Sequence, residues 1–403
     1  MSHKPSFIDL AKKALYIGVT GYGGPAVLGH MKNEIVKKSK WVSDDDFMNS
    51  LSLADILPGA TGVTLMGYLG YKLKGVGGWI LAWGLYVLPA FLFTTIISQF
   101  YFRNSNLAFV QKIFTGLGAL VVALLLNALI NLSKPVYSKS GRFNPKGLLI
   151  SIPAFLLAVF THINATFIYL LSGALGFFLY YFSRDVMVPR ETQKVIKEER
   201  KEKIIWGNIP KSPFTYFIVG LAAVGLLLSY LVPVTGQLIT AFIHMGTFAL
   251  GSGFTVIPLM QSIAVNQNHW VTLKQFQDGL AIGQITPGPV LITAAFIGYN
   301  VLGWLGALIA TISIFLPSLV LIVIFGGLHE RIKHLRIVRV MIKGFLAGFI
   351  GIITAITLQF ARTSLFNWQT WLIFLATLFV MIKLKKNIVW VILGTVIVSL
   401  FLF

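Results

Sequence analysis

Long apolar runs separated by short polar or basic segments follow one another along the chain. An α-helix needs about 20 apolar residues to cross a bilayer, so the pattern predicts an all-α polytopic membrane protein. Thirteen candidate spans lie at about 9–29, 50–70, 77–101, 110–132, 147–161, 163–182, 214–232, 237–260, 276–298, 304–326, 340–360, 369–382 and 388–403. The pairs at 147–182 and 369–403 are short, which leaves open that they form hairpins without crossing fully.

A polar segment at 183–212 divides this apolar pattern. Its eight basic and five acidic residues must lie in water, so we expect a charged cytoplasmic linker between two membrane units. The expected organisation is a first unit over 1–182, the linker over 183–212, a connecting span over 213–235 and a second unit over 236–403.

The two units repeat one sequence pattern. Trp41-Val42-Ser43 aligns with Trp270-Val271-Thr272, and Leu57-Pro58-Gly59 aligns with Thr286-Pro287-Gly288 without a gap between the motifs. A shared Trp and shared Pro and Gly positions at constant spacing indicate an internal duplication. Each unit holds six candidate spans and one connecting span joins them. This parity predicts that the second unit is inverted relative to the first, as is typical of secondary transporters.

Composition and charge narrow the class further. The 403 residues are 56% apolar and only 11% charged, with a mean hydropathy of +0.80, whereas soluble domains carry about 25% charged residues. There is no cysteine, which excludes disulfides and thiolate metal sites. A cytosolic enzyme, a nucleic-acid module and a disulfide scaffold are therefore excluded, and the net charge of +20 is attributed to cytoplasmic loops.

The basic residues also predict an orientation. With a cytoplasmic N-terminus, 26 of the 33 basic residues fall on the cytoplasmic side, as the positive-inside rule requires. Lys32, Lys37, Lys38 and Lys40 fall on the other side. Two alternatives stay open for them: the first span is re-entrant, or the outer vestibule is basic.

Glycine and proline interrupt the apolar runs at corresponding places in the two units. A broken helix is tolerated within hydrocarbon only where it is buried in protein or lines a cavity, and the freed N–H groups at a helix start attract anions. These breaks are the predicted substrate site, with a Pro-kinked, closely packed helix as the alternative. The candidate residues are Gly23, Gly24, Pro25, Pro58, Gly59, Gly251, Gly253, Pro287, Gly288 and Pro289.

Polar side chains cluster at the same breaks. Hydroxyl and amide groups could donate hydrogen bonds to an oxyanion, although bonding between helices or to the previous helical turn is an equal alternative. The candidates are Thr61, Thr64, Gln284, Thr286 and Thr293. Asp55 lies within an apolar run three residues before Pro58 and is a candidate for coupling to protons, or else a structural partner of a lysine or a residue at the membrane edge.

The sequence contains no convincing motif for an enzyme active site. His329-Glu330 and His334 have the wrong spacing for a two-histidine zinc helix, and no phosphate-binding loop with a GK[ST] ending is present in the sequence. We therefore expect no enzyme activity, no cofactor and no metal.

The motifs together resemble the chromate ion transporter family in its long, two-unit form. They are Tyr22-Gly23-Gly24-Pro25, Trp41-Val42-Ser43 with Phe47, Leu57-Pro58-Gly59, Leu88-Pro89, Gly251-Ser252-Gly253, Trp270-Val271-Thr272, Gln284, Pro287-Gly288-Pro289 and Leu316-Pro317. The resemblance implies two homologous halves in opposite orientation and export of chromate, with sulfate as its structural mimic. The chain departs from the family pattern at Ala60, where the second Pro of Pro-Gly-Pro is usual, and at Asp55.

The function expected is a secondary transporter in the plasma or inner membrane that exports chromate or a related oxyanion and confers chromate resistance. The alternatives are a proton-coupled importer or a channel for sulfate or another small anion. The expected partners are the oxyanion and the lipid bilayer, with no nucleic acid, and a homo-oligomer is left open.

Overall fold

The structure is a computed structural model that describes residues 5–21, 25–139, 142–161, 163–181, 213–250, 253–325, 336–384 and 388–403. Within these residues the chain is helical apart from one antiparallel pair of two-residue strands, β1 (Ser138–Lys139) and β2 (Arg142–Phe143). The helices before the linker are α1 (Phe7–Thr20), α2 (Pro25–Lys32), a π-helix (Asn33–Lys38), α3 (Asp44–Ile56), α4 (Thr61–Asn104), α5 (Ala108–Tyr137), α6 (Pro145–Phe160) and α7 (Ala165–Tyr181).

The second part of the chain follows a similar order. Its helices are α8 (Pro213–Leu231), α9 (Pro233–Thr247), a 3-10 helix (Gly253–Val256), α10 (Ile257–Gln261), a π-helix (Ser262–Gln267), α11 (Leu273–Ile285), a 3-10 helix (Val290–Ile292), α12 (Thr293–Phe325), α13 (Arg336–Ser364), α14 (Trp368–Phe379), a π-helix (Val380–Leu384) and α15 (Ile388–Leu402).

Several described helices suit a membrane. By length and composition, Thr61–Asn104, Ala108–Tyr137, Val290–Phe325 and Val340–Ser364 are long and apolar enough to cross one. Shorter apolar helices occupy Pro145–Phe160, Ala165–Tyr181, Ile218–Leu231, Trp368–Leu384 and Ile388–Leu402. The chain is thus an all-helical, multi-pass membrane protein, as the apolar pattern predicts.

The predicted span at 9–29 is not one continuous helix, because the chain folds back on itself. The first helix ends at Thr20 and the next begins at Pro25, where glycine and proline stop the helix. The two arms then run antiparallel: the Thr20 hydroxyl lies 2.9 Å from His30 Nε2, and Lys13 Nζ lies 2.8 Å from a Glu34 carboxylate oxygen. Residues 7–38 therefore form a helical hairpin, hairpin 1, whose two ends lie together.

The predicted span at 50–70 also consists of two antiparallel arms. Helix α3 ends at Ile56 and α4 begins at Thr61, and Lys72 Nζ lies 3.4 Å from the Ser50 hydroxyl. The chain reverses again within α4 at Gly75, whose φ is +64°. We call residues 44–74 hairpin 2, and the rest of α4 runs on as a separate long helix.

The second unit repeats these reversals at corresponding residues. Positive φ angles occur at Lys40 and His269 (53° and 51°), at Gly59 and Gly288 (123° and 130°), and at Gly75 and Gly303 (64° and 56°). The predicted span at 237–260 is likewise interrupted, because α9 ends at Thr247. Residues 233–267 form hairpin 3, and the Phe242 ring of its first arm stacks 6.0 Å from the ring of Trp270, which follows the second arm. Residues 273–302 form hairpin 4, and the Asn300 amide of its second arm donates to the carbonyl of Trp270, which precedes the first arm.

The remaining helices interleave the two units. Helix α5 of the first unit packs against α14 and α15 of the second, and α13 of the second packs against α6 and α7 of the first. Small residues permit this close approach: a Cβ on Gly116 would meet Ser399, and one on Gly344 would meet Ser172 and Gly176. The reciprocal exchange makes the two units one packed body.

Candidate functional site

The tips of hairpins from opposite units meet inside the protein. The Gly59 amide, at the tip of hairpin 2, donates a 2.6 Å hydrogen bond to the Ala249 carbonyl at the tip of hairpin 3. Ser318 of α12 occupies the space that a Cβ on Gly59 would take. The converse contact is present too, because a Cβ on Gly288 would lie 2.9 Å from the Ala90 Cβ of α4. Since Ala90 and Ser318 correspond in the two units, each tip contacts the other unit at an equivalent place.

Local sequence explains why the chain can turn at these tips. Pro58 and Pro287 each follow the last turn of a helix that they cannot extend. The φ angles of +123° at Gly59 and +130° at Gly288 lie in a region that favours glycine. The sequence motif Pro-Gly therefore fixes the same reversal twice.

Helix starts collect at the tips. The return arms of hairpins 1, 2 and 4 begin at Pro25, Thr61 and Val290, directly after their turns. The first N–H groups of a helix lack intrahelical acceptors and carry the positive end of the helix dipole. The turn sequences at 21–25, 57–61 and 286–290 contain no lysine or arginine, so the positive potential at these helix starts comes from backbone dipoles, which suits an anion.

Some candidate residues lie outside the described part of the chain. These are Gly23, Gly24 and Gly251. Of the candidates beside them, Pro25 begins α2 and Gly253 begins a 3-10 helix. A Cβ on Gly253 would lie 2.8 Å from Leu291, so the two hairpins of the second unit pack together behind their tips.

Three of the four candidate threonines bond to their own helices. Thr64 donates to the Ala60 carbonyl at 3.2 Å, Thr286 to Gly283 at 3.0 Å and Thr293 to Val290 at 2.9 Å. All three side chains are buried. Of the two alternatives that the sequence left open, back-bonding to the previous turn is the arrangement in the structure. An oxyanion would compete with those carbonyls for the same protons.

Asp55 and Gln284 occupy equivalent places in the two units but different surroundings. Asp55 is exposed, and the Thr61 side chain across the tip is its hydrogen-bonding neighbour. Gln284 is half-buried at the end of α11. Because an intramembrane carboxyl in lipid is costly, the face of α3 that carries Asp55 fits contact with water.

A buried carboxylate that the sequence reasoning did not single out joins the two units. Thr272 caps α11, which begins at Leu273, and Asp278 lies about one and a half turns inside the helix. Its carboxylate receives hydrogen bonds from Lys274 at 2.6 Å and from Tyr101 of the first unit at 2.8 Å. The available signal was the Lys-to-Asp spacing of four residues at the start of a predicted membrane span.

A second buried carboxylate joins the two arms of hairpin 1 at its base. Glu34 is 3% exposed and its two oxygens lie 2.8 Å from Lys13 and 2.7 Å from Lys38. These lysines lower the pKa of Glu34 to about 2, the Lys13 hydrogen bond having the larger effect. Within the described ranges, no group of three or more histidine or acidic side chains is placed to hold a metal ion.

Comparisons with known proteins complete the description. The family described as "Chromate transporter" matches residues 8–177 and 236–400. An uncharacterized transporter of Methanocaldococcus jannaschii is 30% identical over 396 residues, 97% of this chain and 93% of that protein. A chromate transport protein of Cupriavidus metallidurans is 30% identical over 374 residues, covering 92% and 87% of the two chains. One from Pseudomonas aeruginosa is 26% identical over 380 residues, covering 89% and 82%. No solved structure matches the chain.

Proposed function

The chain belongs to the chromate transporter family, and from this premise we propose that it is a secondary transporter that exports chromate, and related divalent oxyanions, from the cytoplasm and so confers chromate resistance. The family is one of membrane transporters and not of enzymes. The observation that carries the proposal is that both Pro-Gly tips contact the other unit: the Gly59 amide bonds to Ala249 at the tip of hairpin 3, and Gly288 packs against Ala90 of α4.

The hairpins support a definite topology. If hairpins 1 to 4 are re-entrant, Lys32, Lys37, Lys38 and Lys40 lie on the same side as the N-terminus. Only four of the 33 basic residues then fall on the opposite side, namely Arg103, Lys112, Lys274 and Arg362. The positive-inside rule assigns the N-terminal side to the cytoplasm of a cell membrane.

The same topology inverts the second unit. In it each unit has two re-entrant hairpins followed by four crossing helices, and α8 crosses between the units. Because each unit has an even number of crossing helices and one connecting helix joins the units, the second unit is inverted relative to the first. Hairpins 1 and 2 then enter from the cytoplasm and hairpins 3 and 4 from outside, so that all four tips approach the midplane.

We assign the substrate to the space between the tips. The anion is bound there by backbone amides of the Gly and Pro turns and by the first turns of the return arms, where helix dipoles are positive. The residues assigned are Gly23, Gly24, Pro25, Pro58, Gly59, Thr61, Thr64, Gly251, Gly253, Gln284, Thr286, Pro287, Gly288, Pro289 and Thr293. Gly59 contributes shape rather than its N–H, which the Ala249 carbonyl already accepts.

Export of an anion needs no ATP. The membrane potential is negative inside and favours anion exit by about 2.3 kcal/mol per charge per 100 mV, so a dianion gains roughly twice that. Uncharged binding groups also allow release, because no fixed cation has to be separated from the substrate.

The alternative function is a proton-coupled importer or a channel for sulfate or another small anion. Asp55 is the observation that favours it, because an exposed carboxyl beside a tip could take up a proton during transport. In that case anion uptake would follow an inward proton gradient, whereas export driven by the membrane potential would not need one.

Chromate and sulfate flux in vesicles of known polarity tests the proposal. We expect chromate to leave the cytoplasmic side when the potential is negative there, with or without a pH gradient. Gly288→Leu should abolish this flux while the protein stays folded, because the side chain would collide with Ala90. Gly84→Leu is the matched control, since a Cβ on Gly84 would meet no described atom within 4 Å.

Each remaining result decides between functions. Uptake that requires the proton gradient would favour the importer. Flux that does not saturate as the substrate concentration or the membrane potential rises would favour the channel. Unchanged flux in a folded Gly288→Leu variant would remove the tips from the transport mechanism.

A further inference from the structure

The corresponding helices α3 and α11 are packed very differently. On α11, Gln277, Asp278 and Ala281 are all buried, at 1%, 2% and 1% exposure. Their counterparts on α3 are Met48, Asn49 and Ser52, and all three are exposed. Helix α11 packs against α4, α5 and α15, whereas the described contacts of α3 are concentrated on α4. The same helical face is thus closed in hairpin 4 and open in hairpin 2.

Asp278 holds the closed face together across the two units. Its carboxylate oxygens bond to Lys274 Nζ at 2.6 Å and to the Tyr101 hydroxyl at 2.8 Å. Lys274 also donates to the Phe114 carbonyl at 3.3 Å. Tyr101 and Phe114 belong to α4 and α5 of the first unit, so hairpin 4 cannot move away from these helices without breaking the Tyr101–Asp278 and Lys274–Phe114 hydrogen bonds.

The open face has no equivalent of this arrangement. Asn49 stands in place of Asp278 and Asp45 in place of Lys274, and both are exposed on α3. A buried carboxylate that loses its partners is costly, whereas an exposed amide and an exposed carboxylate lose nothing on moving. The sequence difference therefore favours closure at hairpin 4 over closure at hairpin 2.

We propose that Lys274, Asp278 and Tyr101 form the latch of the outer gate, which holds hairpin 4 shut while hairpin 2 leaves the tips open to the cytoplasm. The assignment of inner and outer rests on the function and topology proposed above. Asp278 is a positioning residue, since it acts on the substrate site by holding the helix that ends at Ile285, just before the Pro287-Gly288 tip. In the outward-open state the latch breaks and the face of Gln277 and Ala281 lines the outer path.

The chain offers a clean test because it contains no native cysteine. Single cysteines at the equivalent positions Ala281 and Ser52 report the two faces through a membrane-impermeant maleimide, without substrate present. We expect Ser52→Cys to react from the cytoplasmic side in inside-out vesicles and Ala281→Cys to stay unreactive from outside. Adding Asp278→Asn should raise the rate at Ala281→Cys about tenfold, which corresponds to ~1.4 kcal/mol of lost closure energy.

A cysteine at a buried position away from the gate distinguishes opening of the gate from a general loosening of the protein. Ser172 lies between α7 and α13 and is 2% exposed. Its replacement by cysteine nearly preserves the size of the side chain. Ser172→Cys should stay unreactive in the Asp278→Asn background. Tyr101→Phe removes the hydrogen bond from Asp278 to the first unit but keeps the ion pair within α11. It should therefore also raise the rate at Ala281→Cys, and it provides the test if Asp278→Asn does not fold.

Two results would overturn the latch. One is an unchanged Ala281→Cys rate in folded Asp278→Asn and Tyr101→Phe proteins. The other is an equal rise at Ser172→Cys, which would make Asp278 a stabilising residue only. If the labelling behaves as expected but the parent protein moves no chromate, the latch stands and the proposed substrate fails.

Discussion

Ser318 of the second unit fills the space in which a side chain on Gly59 of the first unit would have to lie. The φ of Gly59 is +123°, so both the backbone and the neighbour require glycine there. The contact recurs with the units exchanged, between Gly288 and Ala90, but with a smaller neighbour. The two tips are therefore equivalent in position and unequal in tightness.

Gly59→Ala is expected to destabilise the protein by about 2–6 kcal/mol, the sum of a strained backbone angle and an overpacked contact. Chromate flux should be lost even where folded protein remains, because the added methyl pushes the tip away from Ala249. Thermal unfolding of the purified protein in detergent and flux in vesicles measure the two effects.

Gly84→Ala is the control for this substitution. Gly84 has no positive φ and open space around its α-carbon, and alanine favours helix, so stability should stay equal or rise by up to about 1 kcal/mol. The double variant Gly59→Ala with Ser318→Gly should recover only the packing part of the loss. A full recovery would mean that the backbone angle carries no strain.

The sequence predicted the helical membrane class and the positions at which helices end. Both follow from local physics, since apolar length and Pro-Gly pairs act within a few residues. It left open whether 9–29 is re-entrant and did not predict that 50–70 and 237–260 fold back, because a broken helix that continues and one that reverses share the same local pattern. Only the long-range pairs, such as Lys13 with Glu34, distinguish them.

The candidate site was predictable to a similar degree. The turns at Gly59 and Gly288 were recognised from the repeat, whereas their partners Ser318 and Ala90 depend on how distant helices pack. The threonines lie near the tips, but the bond of a hydroxyl to its own helix or to a substrate is decided by side-chain rotation, which composition does not encode. Asp278 was missed because its role depends on Tyr101, a residue of the other unit.

Lys37 and Asn266 test the topology, because they are exposed, equivalent positions at the bases of hairpins 1 and 3. With an inverted repeat of re-entrant hairpins, Asn266→Cys should react with an impermeant maleimide in intact cells. Lys37→Cys should react only after permeabilisation. Labelling of Lys37→Cys from outside would mean that the first segment crosses the membrane, and equal sidedness of the two would mean that the units are parallel.

Glu34 should make stability depend on pH at the acidic end. Its pKa of about 2 in the folded protein lies below the ordinary value of 4.5, so the stabilisation is fully present above pH 4.5 and is lost as the pH falls from there toward 2. Glu34→Gln should lower the melting temperature at pH 7 and remove this part of the pH dependence. Melting curves between pH 3 and 7 in detergent measure it.

Asp44→Asn is the matched control for Glu34. Asp44 pairs with Lys32 at 2.7 Å but is 58% exposed, and exposed pairs contribute about 0–1 kcal/mol. Its melting temperature at pH 7 should change little and the acid sensitivity should remain. A Glu34→Gln protein that keeps the full acid sensitivity would assign that sensitivity to other carboxylates.

Asp55 decides whether protons take part in transport. In Asp55→Asn the side chain keeps its size but cannot carry a proton, and in Asp55→Gln it takes the identity that the second unit has at Gln284. If Asp55 couples transport to protons, both variants should retain chromate flux driven by the potential and lose any response to an imposed pH gradient. Flux in vesicles, measured at fixed potential with the pH gradient varied, separates the two driving forces. A pH response that survives in both variants would exclude Asp55 as the coupling group. Loss of flux under every condition would instead assign Asp55 to the structure of the tip, through its contact with Thr61.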